Sequence, residues 1–383
     1  MVRHLTELEK LAGAPLPAAS EIADIFRRDD TAKLKSAAEY ERIMRDLAFG
    51  VDFTDHMARA VWTVEEGWAQ KEITQYAPLS LDPAAAVLHY GQEVFEGIKA
   101  YRHADGSVWT FRPAYNAARL NMSNRRLAIP ELPVEDFLAS LVGLIRADQK
   151  WVPEGAGASL YLRPFIIATE AFLGVRAAKR YDYLVIASPS GPYFKNGFEP
   201  INVWVDREYH RAGPGGMGNV KTGGNYAASL LPKVVAHENG YDEVLFMDAA
   251  TNTYLDELGG MNVFVVKADG SVATPELTGN ILPGGTRASI IELLTDIGVE
   301  VREERIALTQ LLAQISAGEV VEMFACGTAA VVTPIGSLTG TDFSVEVPSG
   351  ELTRRIHDEI TAIQTGKQPD RFGWLYQLAG SDR

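Results

Sequence analysis

The chain has 383 residues, 46% hydrophobic and 22% charged, an ordinary soluble composition with length for two or three domains. Fifty acidic residues against 36 basic ones leave a net charge of −14, which argues against a nucleic-acid partner, because phosphate backbones are bound by basic faces. One cysteine, Cys326, and seven histidines without HxxxH or HxH spacing exclude an intramolecular disulfide and make a protein-built metal site unexpected. No run approaches the roughly 18 consecutive apolar residues of a membrane span. The opening "MVRHLTELEK" is too charged for the apolar core of a signal peptide, so a cytoplasmic protein with no membrane partner is expected.

Residues 1–45 read as short polar helices and form an N-terminal extension without nameable chemistry. A smaller α/β domain is expected over 46–190. Its β-like runs are "AAAVLHY", "SVWTF", "ASLYLRPFIIAT" and "YDYLVIAS", with one helix at "PVEDFLASLVGLIRADQKWV". The Gly/Pro/aromatic stretch "PSGPYFKNGFEP" suggests a linker, placed at 191–202, and a larger domain is expected over 203–383. There "INVWVD" and "EVLFMDA" read as strands around the helix "NYAASLLPKVVAHENG", and "MNVFVVKADGSVATP" reads as a hairpin turning at Asp269-Gly270. "RASIIELLTDIG" and "LTQLLAQISAGE" have helical spacing, and "VVEMFACGTAAVVTPI" reads as a strand broken by a Gly-Thr turn. The fold class is mixed α/β.

"GPGGMGNVKTGGNY" packs six glycines around one lysine, Lys221. Gly213, Gly215 and Gly218 spell G-x-G-x-x-G, but "REYHRA" separates the preceding strand from Gly213, which is the wrong context for a dinucleotide turn. A P-loop fails as well, because Lys221-Thr222 arrives two residues late. A lysine between glycine turns can instead be brought against a carbonyl compound, where desolvation or neighbouring cations make its amine nucleophilic. A solvated surface lysine is the plain alternative. A pyridoxal phosphate site also needs an acid for the pyridine nitrogen, a phosphate cradle and a donor for the ring hydroxyl. Glu257 in "YLDELGGMN" supplies an acid, unless it is merely exposed at a strand edge. "ILPGGTRASIIELL" supplies backbone N–H groups at a helix start, and "ACGTAAVV" a second turn with the Thr328 hydroxyl.

"GGMGNVKTGGNY", "LDELGGMNVFVV", "ILPGGTR", "EVVEMFACGTAAVVTP", "FGVDFTDHM", "LHYGQEVFEGIKAYR", "FRPAYNAARLNMSNRRLAIP" and "SLYLRPFIIATE" all lie between about Phe49 and the C-terminal "GWLYQL". Together they closely resemble the branched-chain amino-acid aminotransferases, a fold-type IV family that uses pyridoxal 5′-phosphate. The resemblance implies two domains with the cofactor between them, the larger C-terminal one binding it. Lys221 would form the aldimine and shuttle the α-proton, and Glu257 would face the pyridine nitrogen. Tyr226 would donate to the phenolic oxygen. Arg119, the N–H groups of Gly285 and Thr286, and Thr328 would hold the phosphate. Tyr161 and the N–H groups of Thr328 and Ala329 would bind the α-carboxylate, and Arg163, helped by the partner subunit's Tyr90, the side-chain carboxylate of glutamate. Phe49, Phe95 and Tyr193 would wall the pocket.

The activity implied is ping-pong transamination of L-leucine, L-isoleucine and L-valine with 2-oxoglutarate, in a homodimer. Within the same fold, D-amino-acid transaminase or aminodeoxychorismate lyase is the alternative, usually in shorter chains that lack "YGQEVFEGIKAYR" and "SLYLRPF". A non-catalytic phosphate-ligand binder is the rival of another class. The chain departs from the pattern of animal relatives in two respects. Ala330 and Thr333 replace a CxxC pair, so thiol regulation is not expected, and Gly260 replaces a hydroxyl residue.

Overall fold

The structure is a computed structural model describing residues 8, 10, 13–192 and 198–381. The chain divides into two compact units, Val2–Tyr193 with Ala362–Arg383, and Phe194–Thr361. The expected 203–383 domain therefore ends early. The last strand, Leu375–Ala379, pairs antiparallel with a strand of the N-terminal unit, from Leu375 opposite Phe111 to Ala379 opposite Val108.

In the N-terminal unit a nine-stranded sheet runs β1 (Arg27–Arg28), β3 (Gly67–Gln75), β2 (His56–Thr63), β8 (Arg180–Ser190), β7 (Ser159–Ala168), β5 (Ile98–Arg102), β6 (Val108–Phe111) and the C-terminal strand, with β4 (Glu93–Phe95) paired to β7. The β7 and β8 pairing is long and unbroken, from Ser159 opposite Ser190 to Ala168 opposite Tyr181. Residues between 13 and 45 contribute to the core of this unit. Helices α1 (Ala19–Ile22) and α2 (Ala37–Arg45) put Ile22 and Ile43 into the core, with Phe26 between them. Ser36 and Glu39 close the start of α2 as a capping box.

"AAAVLHY", expected as a strand, forms instead the short helix α3 (Ala86–Tyr90), which ends at Gly91 in the left-handed region. Alanine and leucine favour that choice, and the glycine stops it. Helix α4 (Pro113–Arg126) opens on proline, whose fixed φ and missing N–H suit a first turn. Helix α5 (Val134–Asp148) covers the sheet with Phe137, Leu138, Leu141, Leu144 and Ile145, the stripe of a 3.6-residue period.

The C-terminal unit is built from crossovers. Strand β9 (Ile201–Asp206), helix α6 (Gly223–Glu238) and strand β10 (Glu243–Met247) form a parallel unit, and β11 (Leu255–Leu258) folds back antiparallel on β10. Strands β12 (Asn262–Lys267) and β13 (Val272–Pro275) make the expected hairpin, with Gly270 at φ +85°. Helix α7 (Gly285–Asp296) then carries the chain to β14 (Val301–Glu304), parallel to β13. After α8 (Leu308–Ser316), β15 (Val320–Gly327) turns into β16 (Val331–Thr339), and β17 (Ser344–Glu346) and α9 (Glu351–Gln364) follow. The strand order is β11, β10, β9, β16, β15, β12, β13 and β14, with β17 on β16. Val203, Leu245, Val263, Val265 and Met323 lie at the centre of its core. Parallel pairs need long connections, and both helices α6 and α7 begin where a glycine-rich connection ends. No helix of the described residues is long and apolar enough to cross a membrane.

Candidate active site

The β9 to α6 connection carries Lys221 and is held from three sides. Arg211, buried, donates from Nη1 to the Gly218 carbonyl at 3.2 Å and the Asn280 carbonyl at 3.0 Å. Asn225, in the first turn of α6, donates back to the carbonyls of Met217 at 2.7 Å and Val220 at 2.9 Å. Gly218 must be glycine for a steric reason, since a Cβ there would lie 2.1 Å from the Asn280 carbonyl oxygen. Val220 is buried and anchors the chain just before Lys221. The lysine Nζ donates to the Tyr226 hydroxyl at 2.6 Å, across five residues that span the helix start.

Glu257 is not an exposed edge acid. It sits on β11 with 2% of its surface accessible. The Arg211 guanidinium approaches its Oε1 at 2.8 Å, the Leu282 N–H donates to Oε1 at 2.9 Å, and the Asn262 amide donates to Oε2 at 3.0 Å. Burial raises the Glu257 carboxyl above its ordinary pKa, while Arg211, the Leu282 N–H and Lys221 act in the opposite direction. Helix α7 starts at Gly285 behind a glycine N-cap, so no side chain closes its first turn, and Thr286 is buried there. Its N-terminal N–H groups form the kind of end that attracts an anion.

Thr328 and Ala329 lie half-buried in the turn joining β15 to β16. That turn ends at Val331 with φ +61°, a left-handed conformation that a β-branched residue rarely adopts. Strain of this kind costs about 1–3 kcal/mol and concentrates where a turn is held for function.

The N-terminal unit gathers another group. Tyr161 and Arg163 alternate on β7 and share one face, with Arg163 Nη2 donating to the Tyr161 hydroxyl at 3.1 Å. The Arg163 guanidinium also lies over the Phe95 ring, 4.8 Å from its centroid, and its buried Nε makes no hydrogen bond among the described residues. Phe49 meets Tyr161 edge to face at 4.8 Å. Gly97 leaves room for that tyrosine, because a Cβ there would stand 2.0 Å from its hydroxyl. Four of the expected substrate residues are thus neighbours.

Arg119 is a buried residue of α4 rather than a surface one. It makes a bidentate pair with Glu96, Nε to Oε1 at 2.8 Å and Nη2 to Oε2 at 2.7 Å, and Asn116 adds a bond to Oε2 at 2.8 Å. Tyr90 stands apart from the Tyr161 group. It is exposed, with its hydroxyl donating to the Leu173 carbonyl and its ring beside Phe172. Tyr193 lies outside the described residues.

Arg211, Asn262, Glu96 and Gly97 were not singled out from the sequence. Glu96 and Gly97 lie within "LHYGQEVFEGIKAYR" and Asn262 within "LDELGGMNVFVV", while Arg211 is a cation of "REYHRA", the segment that separates β9 from the glycine run. A lysine with a hydroxyl on its amine, a buried acid tied to an arginine, and an uncapped helix start together suit a carbonyl-bearing, anionic aromatic group. A basic ring nitrogen can meet the acid while an anionic tail meets the helix.

The family profile described as Amino-transferase class IV matches residues 93–338. A branched-chain-amino-acid aminotransferase of Mycolicibacterium smegmatis is 51% identical over 345 residues, covering 88% of this chain and 94% of the relative. The crystal structure of the Escherichia coli branched-chain amino acid aminotransferase superposes with a TM-score of 0.70 at 31% identity, over 84% of this chain and 99% of that one. A T.th. branched-chain amino acid aminotransferase, solved in complex with N-(5′-phosphopyridoxyl)-L-glutamate, gives a TM-score of 0.68 at 28% identity over the same shares. The chain belongs to the class IV aminotransferases and, within them, to the branched-chain-amino-acid aminotransferase family.

Proposed function

We propose that this enzyme moves the amino group of L-leucine, L-isoleucine or L-valine to 2-oxoglutarate in a ping-pong cycle, using pyridoxal 5′-phosphate. When bound, the cofactor supplies an aldehyde that takes an amine covalently and a ring that accepts the electrons of the substrate Cα–H bond. Lys221 provides the resident amine and, once displaced, carries the proton away from Cα. Tyr226, whose hydroxyl lies 2.6 Å from that amine, would donate to the ring's phenolic oxygen. Glu257, its carboxylate steadied by Arg211, Leu282 and Asn262, would face the pyridine nitrogen and keep it protonated. The Gly285 and Thr286 N–H groups, the Thr328 hydroxyl and Arg119 hold the phosphate, with Glu96 fixing the plane of the arginine.

On the substrate side, Tyr161 and the N–H groups of Thr328 and Ala329 hold the α-carboxylate, and Phe49, Phe95 and Tyr193 accept the branched side chain. The same pocket must accept glutamate, and a buried unpaired carboxylate costs several kcal/mol. Arg163 answers that need. It rests over Phe95 when the substrate is apolar and turns to the carboxylate when it is not, aided by the partner subunit's Tyr90. The working form is a homodimer in the cytoplasm. Exposed apolar side chains on α6, among them Leu230, Leu231 and Val234, support a second copy covering that face.

The observation that carries this reading is the 2.6 Å contact of the Lys221 amine with Tyr226, in the same unit as the buried Glu257. A mere phosphate-ligand binder has no use for such an amine. Borohydride reduction of the cofactor-loaded protein followed by peptide mapping should place a pyridoxyl mark on Lys221. A mark elsewhere, or none, overturns the assignment. Amino-group transfer faster from D-alanine than from L-leucine would favour the D-amino-acid transaminase alternative.

A further inference from the structure

We infer that Arg211 is a positioning residue that acts through Glu257, holding its carboxylate ionised and in place for the cofactor's pyridine nitrogen. The inference rests on the reading of Lys221 and Glu257 above and adds to it the residue that makes Glu257 usable. Both partners of this pair are buried, each with 3% of its side chain accessible. An acid taken so far from water favours its neutral form unless a cation compensates. Among the groups that face Glu257, Arg211 is the strongest influence toward ionisation, ahead of Lys221 and Arg287, while Asp256 beside it and the Cys326 thiol are the other titratable neighbours.

The guanidinium is itself immobilised. Its Nη1 serves the Gly218 and Asn280 carbonyls as well as Glu257, so three acceptors share the hydrogens of one nitrogen. These carbonyls belong to the connection that carries Lys221 and to the one that leads into α7. The arginine cannot follow Glu257 if that side chain moves, nor can Glu257 turn without leaving a buried cation unpaired. A neutral Glu257 would instead offer its own proton to the pyridine nitrogen and weaken the ring as an electron acceptor. Arg211 thereby sets which of the two, acid or ring, carries the proton.

The test uses the cofactor-loaded enzyme with Arg211→Met, Arg211→Lys, Glu257→Gln and the double variant Arg211→Met/Glu257→Gln. Arg211→Met is expected to lower kcat more than 50-fold with the leucine KM moved less than 3-fold. It should also shift the pH midpoint of the bound cofactor's absorbance by at least one unit, in the direction that Glu257→Gln shifts it. Arg211→Lys should recover at least 10-fold of the lost kcat. Because Arg211 acts through Glu257, adding Arg211→Met to Glu257→Gln should cost less than 3-fold more. An unmoved absorbance midpoint in Arg211→Met, or losses that multiply in the double variant, overturns the inference. If Arg211→Met does not fold, the comparison of Glu257→Gln with the double variant, in which no buried ion is left alone, decides it alone. The borohydride mark reports Lys221 and not Arg211. An unmarked wild type therefore defeats the earlier reading, and a marked wild type with indifferent Arg211 variants defeats only this one.

Discussion

Asp256→Asn should stabilise the protein, and increasingly so as pH rises. Asp256 is buried on β11 next to Glu257 and lines a cavity of about 340 Å³ with Tyr254, Asn280 and Arg305. Burial first, and then the Glu257 and Asp248 carboxylates, push its carboxyl from 3.8 up to about 7, against the opposing pull of Arg211 and the Asn280 side chain. A carboxyl with its folded pKa above the unfolded one binds more protons when native throughout that interval. Stability contributed by this site therefore falls as pH climbs from about 4 to about 7 and is lowest above that. One unit corresponds to about 1.36 kcal/mol, so the whole displacement would amount to about 4 kcal/mol. Water in the open part of the cavity screens the charge, and about 2 kcal/mol is the expected gain for asparagine at pH 8.

Asparagine keeps the volume and the partnership with Asn280 but has no proton to lose. Urea unfolding at pH 5, 6, 7 and 8 tests the point, with the fluorescence of Trp204 on β9 reporting the C-terminal unit. The difference in midpoint between variant and wild type should widen from pH 5 to pH 7 and level off towards pH 8, at constant slope. A difference that does not change with pH, or an asparagine variant weaker than wild type at pH 8, would refute the reasoning.

Gly218→Ala should destabilise the C-terminal unit by about 1–3 kcal/mol, the usual cost of forcing atoms into filled space, because the new methyl meets the carbonyl oxygen, carbonyl carbon and Cα of Asn280 within 2.5 Å. It should also weaken cofactor retention, measured by dialysis and absorbance, since the displaced segment carries Lys221; an alanine variant with unchanged melting and retention would count against the close packing. Arg163→Ala should cost the half-reaction with 2-oxoglutarate at least 20-fold and that with leucine less than 3-fold, in single-turnover kinetics. Equal losses on the two substrates would remove Arg163 from the role of switchable cation.

The elements that a periodic pattern encodes were legible. Strands β7, β8, β9 and β12 and helices α5 to α8 fall where their apolar spacing places them. "AAAVLHY" failed because seven residues with alanine and leucine carry no period long enough to tell strand from helix. The allocation of the termini failed for a different reason. "GWLYQL" looks the same whether its strand pairs at one sheet edge or another, and only the partner edge at β6 decides which unit it joins. Likewise, Ile22, Phe26 and Ile43 are three apolar residues in a polar stretch, and nothing local says that a sheet awaits them.

The site divides along the same line. Lys221, Glu257 and the glycines before α7 lie on short segments whose residue types suggest a chemistry, whereas Tyr226 enters only through the family resemblance. Arg211, Asn262 and Glu96 do their work on other side chains. Glu96 precedes Arg119 by 23 positions and Arg211 precedes Glu257 by 46, so each pair exists only once strands and helices have brought the partners together. Such residues announce no role of their own in the sequence because their requirement is set by a partner's burial rather than by a ligand's shape. A buried acid or guanidinium must find an opposite charge somewhere in the fold, and counting which buried charges still lack one is how they are found. By that count Glu257 demands Arg211 as firmly as Arg119 demands Glu96. A chain in this family that keeps the acid and loses the arginine should therefore carry another buried cation within reach of Oε1.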